Sequence, residues 1–465
     1  MNDVGLRSER GPILLALMLA IFLIAIDTTI LSTAVPTIVA ELGGFDQYPW
    51  LFSVYLLAQV ATVPVYAKLA DRIGRRSVMF VGIGLFVLGS VLSALAWSMG
   101  SLIAFRAVQG LGAGAIIPTA LTVAGDIYTV RERARAQAYI ASVWALSSVI
   151  GPTLGGLFSQ FLSWRGIFWV NVPLGAIALV LFWRHYRVPF ERQPQRIDIG
   201  GAILLTSGLV LLVLGVLEGG QAWPWVSWPS ALLFGGSLLL LLAFALVERR
   251  AHDPIIEPWL VRSRVVVATA FVSLGVGAVL LGLTSFVPTF IESATGVVPV
   301  VAGLTVAALT LGWPLSAALA GRFYLRIGFR ATAMVGSSVA TVGALFLTTT
   351  AVLVPSVGWT AAGCFIVGLG MGLVANPALI AAQSSVTQEK RGVVSGTNVL
   401  ARSIGSSVGV AIYGAVATSV IAAGGGADSP AAVQAGAVAV FVGVAVTTAV
   451  LLIASAVIPH VPIDD

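Results

Sequence analysis

The chain has 465 residues, of which 58% are hydrophobic and only 9% charged, with a mean hydropathy of +1.01. No soluble domain of this size could cover its surface from such a composition, which excludes a water-soluble enzyme or binding module and leaves a polytopic membrane protein. The net charge of +6 is spread over many short loops and never forms one interface, so it is a topology signature and excludes a nucleic-acid partner.

The first ten residues, MNDVGLRSER, place Arg7 and Arg10 ahead of an apolar run, as a secretory leader would. That run is too long, carries an aspartate and lacks a small-x-small cleavage site, so a retained first span is expected. Apolar stretches of about 18 to 25 residues predict spans near 13–38, 49–69, 77–97, 101–124, 137–160, 166–184, 199–217, 230–247, 265–291, 299–320, 331–353, 356–380, 394–422 and 432–458. With fourteen spans, all lysines and arginines but Arg106, Arg165 and Arg402 fall in the tails and loops of one side. Basic residues stay in the cytoplasm, so both termini are expected there, in a bacterial cytoplasmic (inner) membrane.

In chain order, the first span holds the residue most costly to place. Asp27 is the only ionisable group of AIFLIAIDTTILSTAVP, and a carboxylate at membrane depth marks an ion or substrate pathway. Desolvation favours its protonated form and a nearby guanidinium the ionised one. Alternation between those surroundings would bind and release a proton. A permanent pair serving helix packing is the alternative. Arg106 on the fourth span or Arg402 on the thirteenth could supply the counter-charge. Arg402 is the better coupling candidate, since it comes from the far end of the sequence and a bridge between halves can depend on state.

The loop AKLADRIGRR (67–76) must turn tightly, and Gly74 permits that. Its Asp71 could accept hydrogen bonds from arginines or from a helix N-terminus, while Arg72, Arg75 and Arg76 serve either gating or topology. In the fifth span, GPTLGG supplies a proline, Pro152, with Gly151, Gly155 and Gly156; small faces let helices approach closely, and proline bends them. Tyr55, Gln59, Gln109, Trp144, Asn376 and Asn398 are candidate cavity residues among large apolar surfaces, which favours lipophilic ligands. Cys364 lies in an apolar stretch and is expected to be a buried small hydrophobe.

An internal repeat organises the chain. AKLADRIGRR aligns with GRFYLRIGFR (321–330), 254 residues on, and GLGAGAIIP (110–118) with GLGMGLVANP (368–377), about 258 on. Two six-helix halves are expected, 1–187 and 265–465, with spans seven and eight inserted over 188–264. Duplicated halves around a midplane site are a common transporter construction.

These motifs resemble the fourteen-helix drug:proton antiporter branch of the major facilitator superfamily. IDTTILSTAVP is similar to LDxTxxNxALP, with Ser32 where asparagine is frequent. AKLADRIGRR resembles GxLADRxGRR, with Ala67 in place of the first glycine. RAVQGLGAG is similar to RxxQGxGxG, GPTLGG to GPxxGG, SWRGIFWVNVPLG to WRWIFxINVPxG, and RSIGSSVGVA to RxxGGSxGxA. The resemblance implies an all-α major-facilitator-like fold and antiport of lipophilic or monocationic compounds against protons by a monomer. Membrane depth and the need for a counter-charge, apart from the resemblance, make Asp27, Arg106 and Arg402 the candidate proton-coupling residues. Export of a lipid or an endogenous metabolite is the alternative. No filter segment, phosphate loop or intramembrane catalytic cluster is evident, so a channel, a nucleotide-driven pump and an enzyme are not expected, nor is any cofactor or metal.

Overall fold

The computed structural model describes residues 4–44, 47, 50–186, 198–219, 223–249, 258–297, 299–424 and 429–462, and almost all of them are helical. The helices are α1 (Gly11–Leu42), α2 (Trp50–Ile73), α3 (Arg75–Ala94), α4 (Met99–Ile127), α5 (Val130–Phe161), the short α6 (Gly166–Trp169), α7 (Asn171–His185), α8 (Ile199–Glu218) and α9 (Trp228–Glu248). They continue with α10 (Pro258–Arg262), α11 (Arg264–Thr295), α12 (Pro299–Leu353), α13 (Val357–Ser384), α14 (Arg391–Ala423) and α15 (Pro430–Ala456). Several helices start on hydroxyl caps that satisfy free amide groups, among them the capping boxes Ser98–Ser101 and Thr129–Glu132.

Among the described residues, 11 helical segments are long and apolar enough to cross a membrane, and Gly200–Val216 is a shorter apolar helix. One of the 11 is folded back on itself: α12 breaks at Gly328, where φ is 82°. Gly74, 254 residues earlier, holds the equivalent turn between α2 and α3 at φ 92°. Both copies of the Arg-Ile-Gly-x-Arg loop therefore turn on a glycine in a conformation that a side chain would strain.

The repeat extends to helix packing. A Cβ added to Gly112 of α4 would collide with Gly82 and Phe86 of α3, and one added to Gly370 of α13 with Gly336 and Ala340 of α12. Gly110 and Gly114 likewise rest on the backbone of Tyr55 and Gln59, as Gly368 and Gly372 do on Leu309 and Trp313. Every one of these partners is displaced by the same 254 or 258 residues found in the sequence. Small residues set the close helix approach in both copies.

Two large apolar clusters result. One is built from α1, α2, α3, α4, α5 and α7, joined by Leu379 and Val399; the other comes from α11 to α15, with Cys364 buried in it. They meet where α5 packs on α12 and α2 on α14. Helices α8 and α9 pair with each other, the Ser237 hydroxyl donating to the Gly208 carbonyl at 2.8 Å. On the other side α8 lies over the α2–α14 seam, with Val213 against Leu57 and Val60 and Leu205 and Leu209 against Leu400 and Ile404.

Candidate functional site

Asp27 is 2% exposed and Arg106 fully buried, and the structure brings them together. Asp27 Oδ2 accepts from Arg106 Nη1 at 2.5 Å, and Oδ1 accepts from Gln109 Nε2 at 2.7 Å and Asn171 Nδ2 at 3.3 Å. Arg106 and Gln109 are one helical turn apart on α4, so a single face of that helix presents both. Nη1 of Arg106 also donates to Gln109 Oε1 at 2.6 Å, and its Nε donates to the Leu51 carbonyl of α2 at 3.1 Å. The Tyr55 ring covers the guanidinium, 4.4 Å from ring centre to Cζ. Ser90 of α3 closes the shell, accepting from Gln109 at 2.9 Å and Asn171 at 3.2 Å. A buried carboxylate is thus neutralised and hydrogen-bonded by residues of α4 and α7, themselves braced by Ser90 of α3, which offsets the cost of placing it there.

This geometry corrects several expectations. Arg106, and not Arg402, is the counter-charge of Asp27, because α4 packs directly on α1 while α14 belongs to the other cluster. Arg402 is partly accessible and makes no hydrogen bond or ion pair among the described residues. Tyr55 and Gln109 belong to the ion-pair shell and not to a cavity wall, being 1% and 0% exposed. Asn398 is also buried inside its own half, accepting from Ser273 at 2.8 Å and donating to Val394 O. Asn376 is buried, its Nδ2 without a hydrogen-bond partner among the described residues, Gln59 is partly exposed and Trp144 exposed.

Gly151, Gly405 and Gly409 of the glycine motifs pack within their own halves. A Cβ on Gly151 would overlap Thr29, whose hydroxyl donates to the Ser147 carbonyl at 3.0 Å, so GPTLGG joins α5 to α1 beside Asp27. Gly405 and Gly409 seat α14 on α11 at Leu274 and Ala278. Gly155 is buried; the surroundings of Pro152 and Gly156 lie outside the described residues.

A second polar cluster joins the halves at the end bearing the basic loops. Asp71 accepts from the backbone amides of Gly392 and Val393, at 3.1 and 2.8 Å, in the first turn of α14. A carboxylate there meets free amides and the positive end of the helix dipole. Arg75 bridges Asp71 at 2.9 Å and Asp126 at 3.2 Å, and donates to Gln388 O at 2.8 Å. Arg391 reaches back to Asp126 at 3.4 Å and Gly125 O at 3.0 Å. Arg133 caps the same carbonyl at 2.6 Å and donates to Ser384 at 3.3 Å, while Gln383 donates to Leu121 O at 3.2 Å. On the pseudo-symmetric side the Tyr324 hydroxyl donates to the Val130 carbonyl. Arg72 makes no hydrogen bond or ion pair among the described residues, and Arg76 donates to Trp183 O within its own half at 3.0 Å. Asp71 and Arg75 alone of the expected gating charges therefore touch the other half. The sequence reading missed Asp126, Arg133, Tyr324, Gln383 and Arg391, whose role depends on contacts across some 200 to 300 residues.

Ala67, standing where the motif has glycine, also sits on this seam. A Cβ on Gly396 of α14 would overlap that of Ala67. The small residue needed for close approach lies on the opposite helix. At the other end Arg165, the exception to the charge pattern, pairs with Glu41 and lies 4.4 Å over the Trp164 ring. Hydrogen bonds from Arg165 and Trp164 hold the Glu41 carboxyl below its ordinary range.

A duplicated helical bundle with a buried ion pair in one half and a polar seam between halves is the architecture of a membrane transport protein, not of an enzyme. The chain belongs to the Major Facilitator Superfamily, whose model matches residues 17–410. It is 33% identical to Multidrug resistance protein 3 of Bacillus subtilis over 410 residues, covering 88% of this chain and 80% of that protein. Multidrug transporter protein MdtP of the same organism is 34% identical over 420 residues, or 90% of this chain and 77% of that one. A triacylglyceride transporter of Mycolicibacterium smegmatis is 32% identical over 455 residues, covering 91% and 80%. In fold the chain is similar to the human organic anion transporter MFSD10, with TM-score 0.68 and 16% identity over 96% of this chain and 99% of that one. The proton:xylose symporter XylE gives TM-score 0.64 and 14% identity over 97% and 96%.

Proposed function

We propose that this chain is a proton-coupled antiporter that exports lipophilic or monocationic compounds by alternating access. Fourteen spans in two six-helix halves plus the α8–α9 insert would carry it, with both termini cytoplasmic and one chain as the working unit. The observation that supports it most is the Asp27 shell. Protonating this carboxylate would leave the Arg106 guanidinium buried without its counter-charge, a loss of about 3 to 5 kcal/mol for a dry site. The bundle must then rearrange or hydrate. A proton on Asp27 is in this way coupled to helix positions through Arg106, which also holds α2 at Leu51.

The Asp71 latch supports the other half of the cycle. With the basic loops cytoplasmic, the Asp71, Arg75, Asp126 and Arg391 cluster would hold that side closed. Releasing α14 from Asp71 would open the cytoplasmic side. Arg402, without a polar partner among the described residues, is available to substrate or to Asp27 in another state. Asp27 is the only carboxylate well inside a span, which favours neutral and monocationic substrates over dications. Names of the bacterial multidrug relatives agree with this reading.

Export of a lipid is the second reading, and one observation favours it. An almost wholly apolar cavity of about 280 Å³ lies at the α2–α14 seam, lined by Pro64, Ala67, Leu260, Phe271, Gly396 and Leu400. Inverted membrane vesicles separate Asp27 from the rest. One proton crossing roughly 150 mV supplies about 3.5 kcal/mol, a concentration ratio of a few hundred for a neutral substrate, whereas one-for-one exchange with a monocation moves no net charge and draws on the pH gradient alone. Asp27→Asn, at matched abundance, is expected to abolish uphill accumulation of a lipophilic monocation while still binding it. Accumulation driven by the proton gradient in that variant would overturn the proposal.

A further inference from the structure

The shell around Asp27 is rich in donors, and two of its oxygens, the Tyr55 hydroxyl and Asn171 Oδ1, are without a hydrogen-bond partner among the described residues. An ionised carboxylate accepts hydrogen bonds and donates none, whereas the protonated acid must donate one. Gln109 Oε1 already accepts from Arg106 at 2.6 Å. Ser90 Oγ gives its proton to Phe86 O at 2.9 Å and accepts from both Gln109 and Asn171. Asn171 Oδ1, in contrast, is buried with no hydrogen-bond partner among the described residues. Asn171 is 1% exposed and opens α7 directly after the short α6.

We propose that Asn171 is a positioning residue that follows the protonation state of Asp27, donating through Nδ2 to the carboxylate and turning its amide to accept the acid proton on Oδ1. The inference rests on Asp27 being the proton carrier. Buried polar atoms are rarely left unpaired, and the orphan oxygen finds its partner when the proton arrives. The amide turn is local, but it exchanges the bond to Ser90 as well. Protonation is thereby communicated from α1 to α3 and α7, away from the Arg106 side. Other ionisable groups facing Asp27 are Arg106 from α4 and Tyr55 from α2; those of α3, α5 and α7 lie near the basic ends of their helices.

The direction of the effect follows from bond lengths. Asn171 donates to the carboxylate at 3.3 Å, the longest of its three bonds, so removing the amide weakens the anion little. The neutral acid loses its acceptor. About tenfold more protons should then be needed for half-maximal proton-driven efflux. Serine, which both donates and accepts, should restore much of the loss.

The test is difference infrared spectroscopy of the full-length protein across an acid titration, with Asp27→Asn subtracted. The protonated Asp27 carbonyl stretch is expected at a hydrogen-bonded position in the wild type and at a higher, free-acid frequency in Asn171→Leu. Asn171→Ala provides the same comparison should leucine impair folding. A free-acid band in the wild type, or an unmoved band in both variants with Asp27 still titrating, would overturn the role of Asn171 and leave Asp27 as carrier. No band lost in Asp27→Asn would instead remove Asp27 itself.

Discussion

Gly392 shows how much of the mechanism depends on an absent side chain. Its amide donates to Asp71, and a Cβ there would lie against the carboxylate group it binds. Gly392→Ala changes no charge and suits a helix better than glycine, yet it must push Asp71 away. Transport cysteine reporters placed on the latch, with Cys364 replaced, should therefore become accessible from the cytoplasmic side, and the resting population should shift toward the inward-open state. Unchanged accessibility would mean that the Asp71 contact does not hold the seam. At this scale the sequence spoke clearly where chemistry is local. Asp27 is conspicuous because its surroundings are apolar, and Gly74 because its loop is short. It was silent where two residues of one type compete. Choosing Arg106 over Arg402 required knowing which helix packs on α1, and Asn171 read only as part of a motif until its amide was seen against Asp27.

At the scale of elements, α8 has two unlike faces. It is held to α2 by a polar contact, Thr206 Oγ donating to Ala61 O at 3.2 Å, and meets α14 through the apolar side chains of Leu205 and Leu209 against Leu400 and Ile404. Interhelical hydrogen bonds in membranes contribute modestly, about 0.6 kcal/mol each, but they fix register where oil-like contacts slide. The insert should accordingly travel with α2 and glide over α14. In a Cys364→Ala background, crosslinking cysteines at Ala61 and Thr206 should leave transport near wild type, while crosslinking Leu209 to Ile404 should stop it reversibly. Inhibition by the first pair would place α8 among the moving parts. Spans of this kind were legible from hydropathy alone, and the repeat predicted which glycines occupy matching contacts. The side on which the insert lies was not legible, since an apolar helix carries no mark of its neighbour. Nor was the seam function of Ala67 and Gly396, because the small residue had changed helices between motif and chain.

For the molecule as a whole, the structure separates the place where a proton would reside from the place where the halves part. Asp27 is enclosed by α1, α2, α3, α4 and α7, whereas the latch joins α2, α3, α4 and α5 to α12, α13 and α14 at the basic end. Helix α4 runs through both, with Arg106 and Gln109 at one level and Gly125 and Asp126 at its terminus. A shift of α4 on loss of the Asp27–Arg106 pair is thus felt where Arg75, Arg133 and Arg391 converge. Linkage makes the central claim directly measurable: if substrate and proton exclude one another through Asp27, substrate binding must release the proton. Adding a saturating lipophilic monocation to the purified protein, in weakly buffered solution with Asp27 protonated beforehand, should release about one proton per chain. Asp27→Asn should bind the same cation and release none; proton release from that variant equal to wild type would contradict the account.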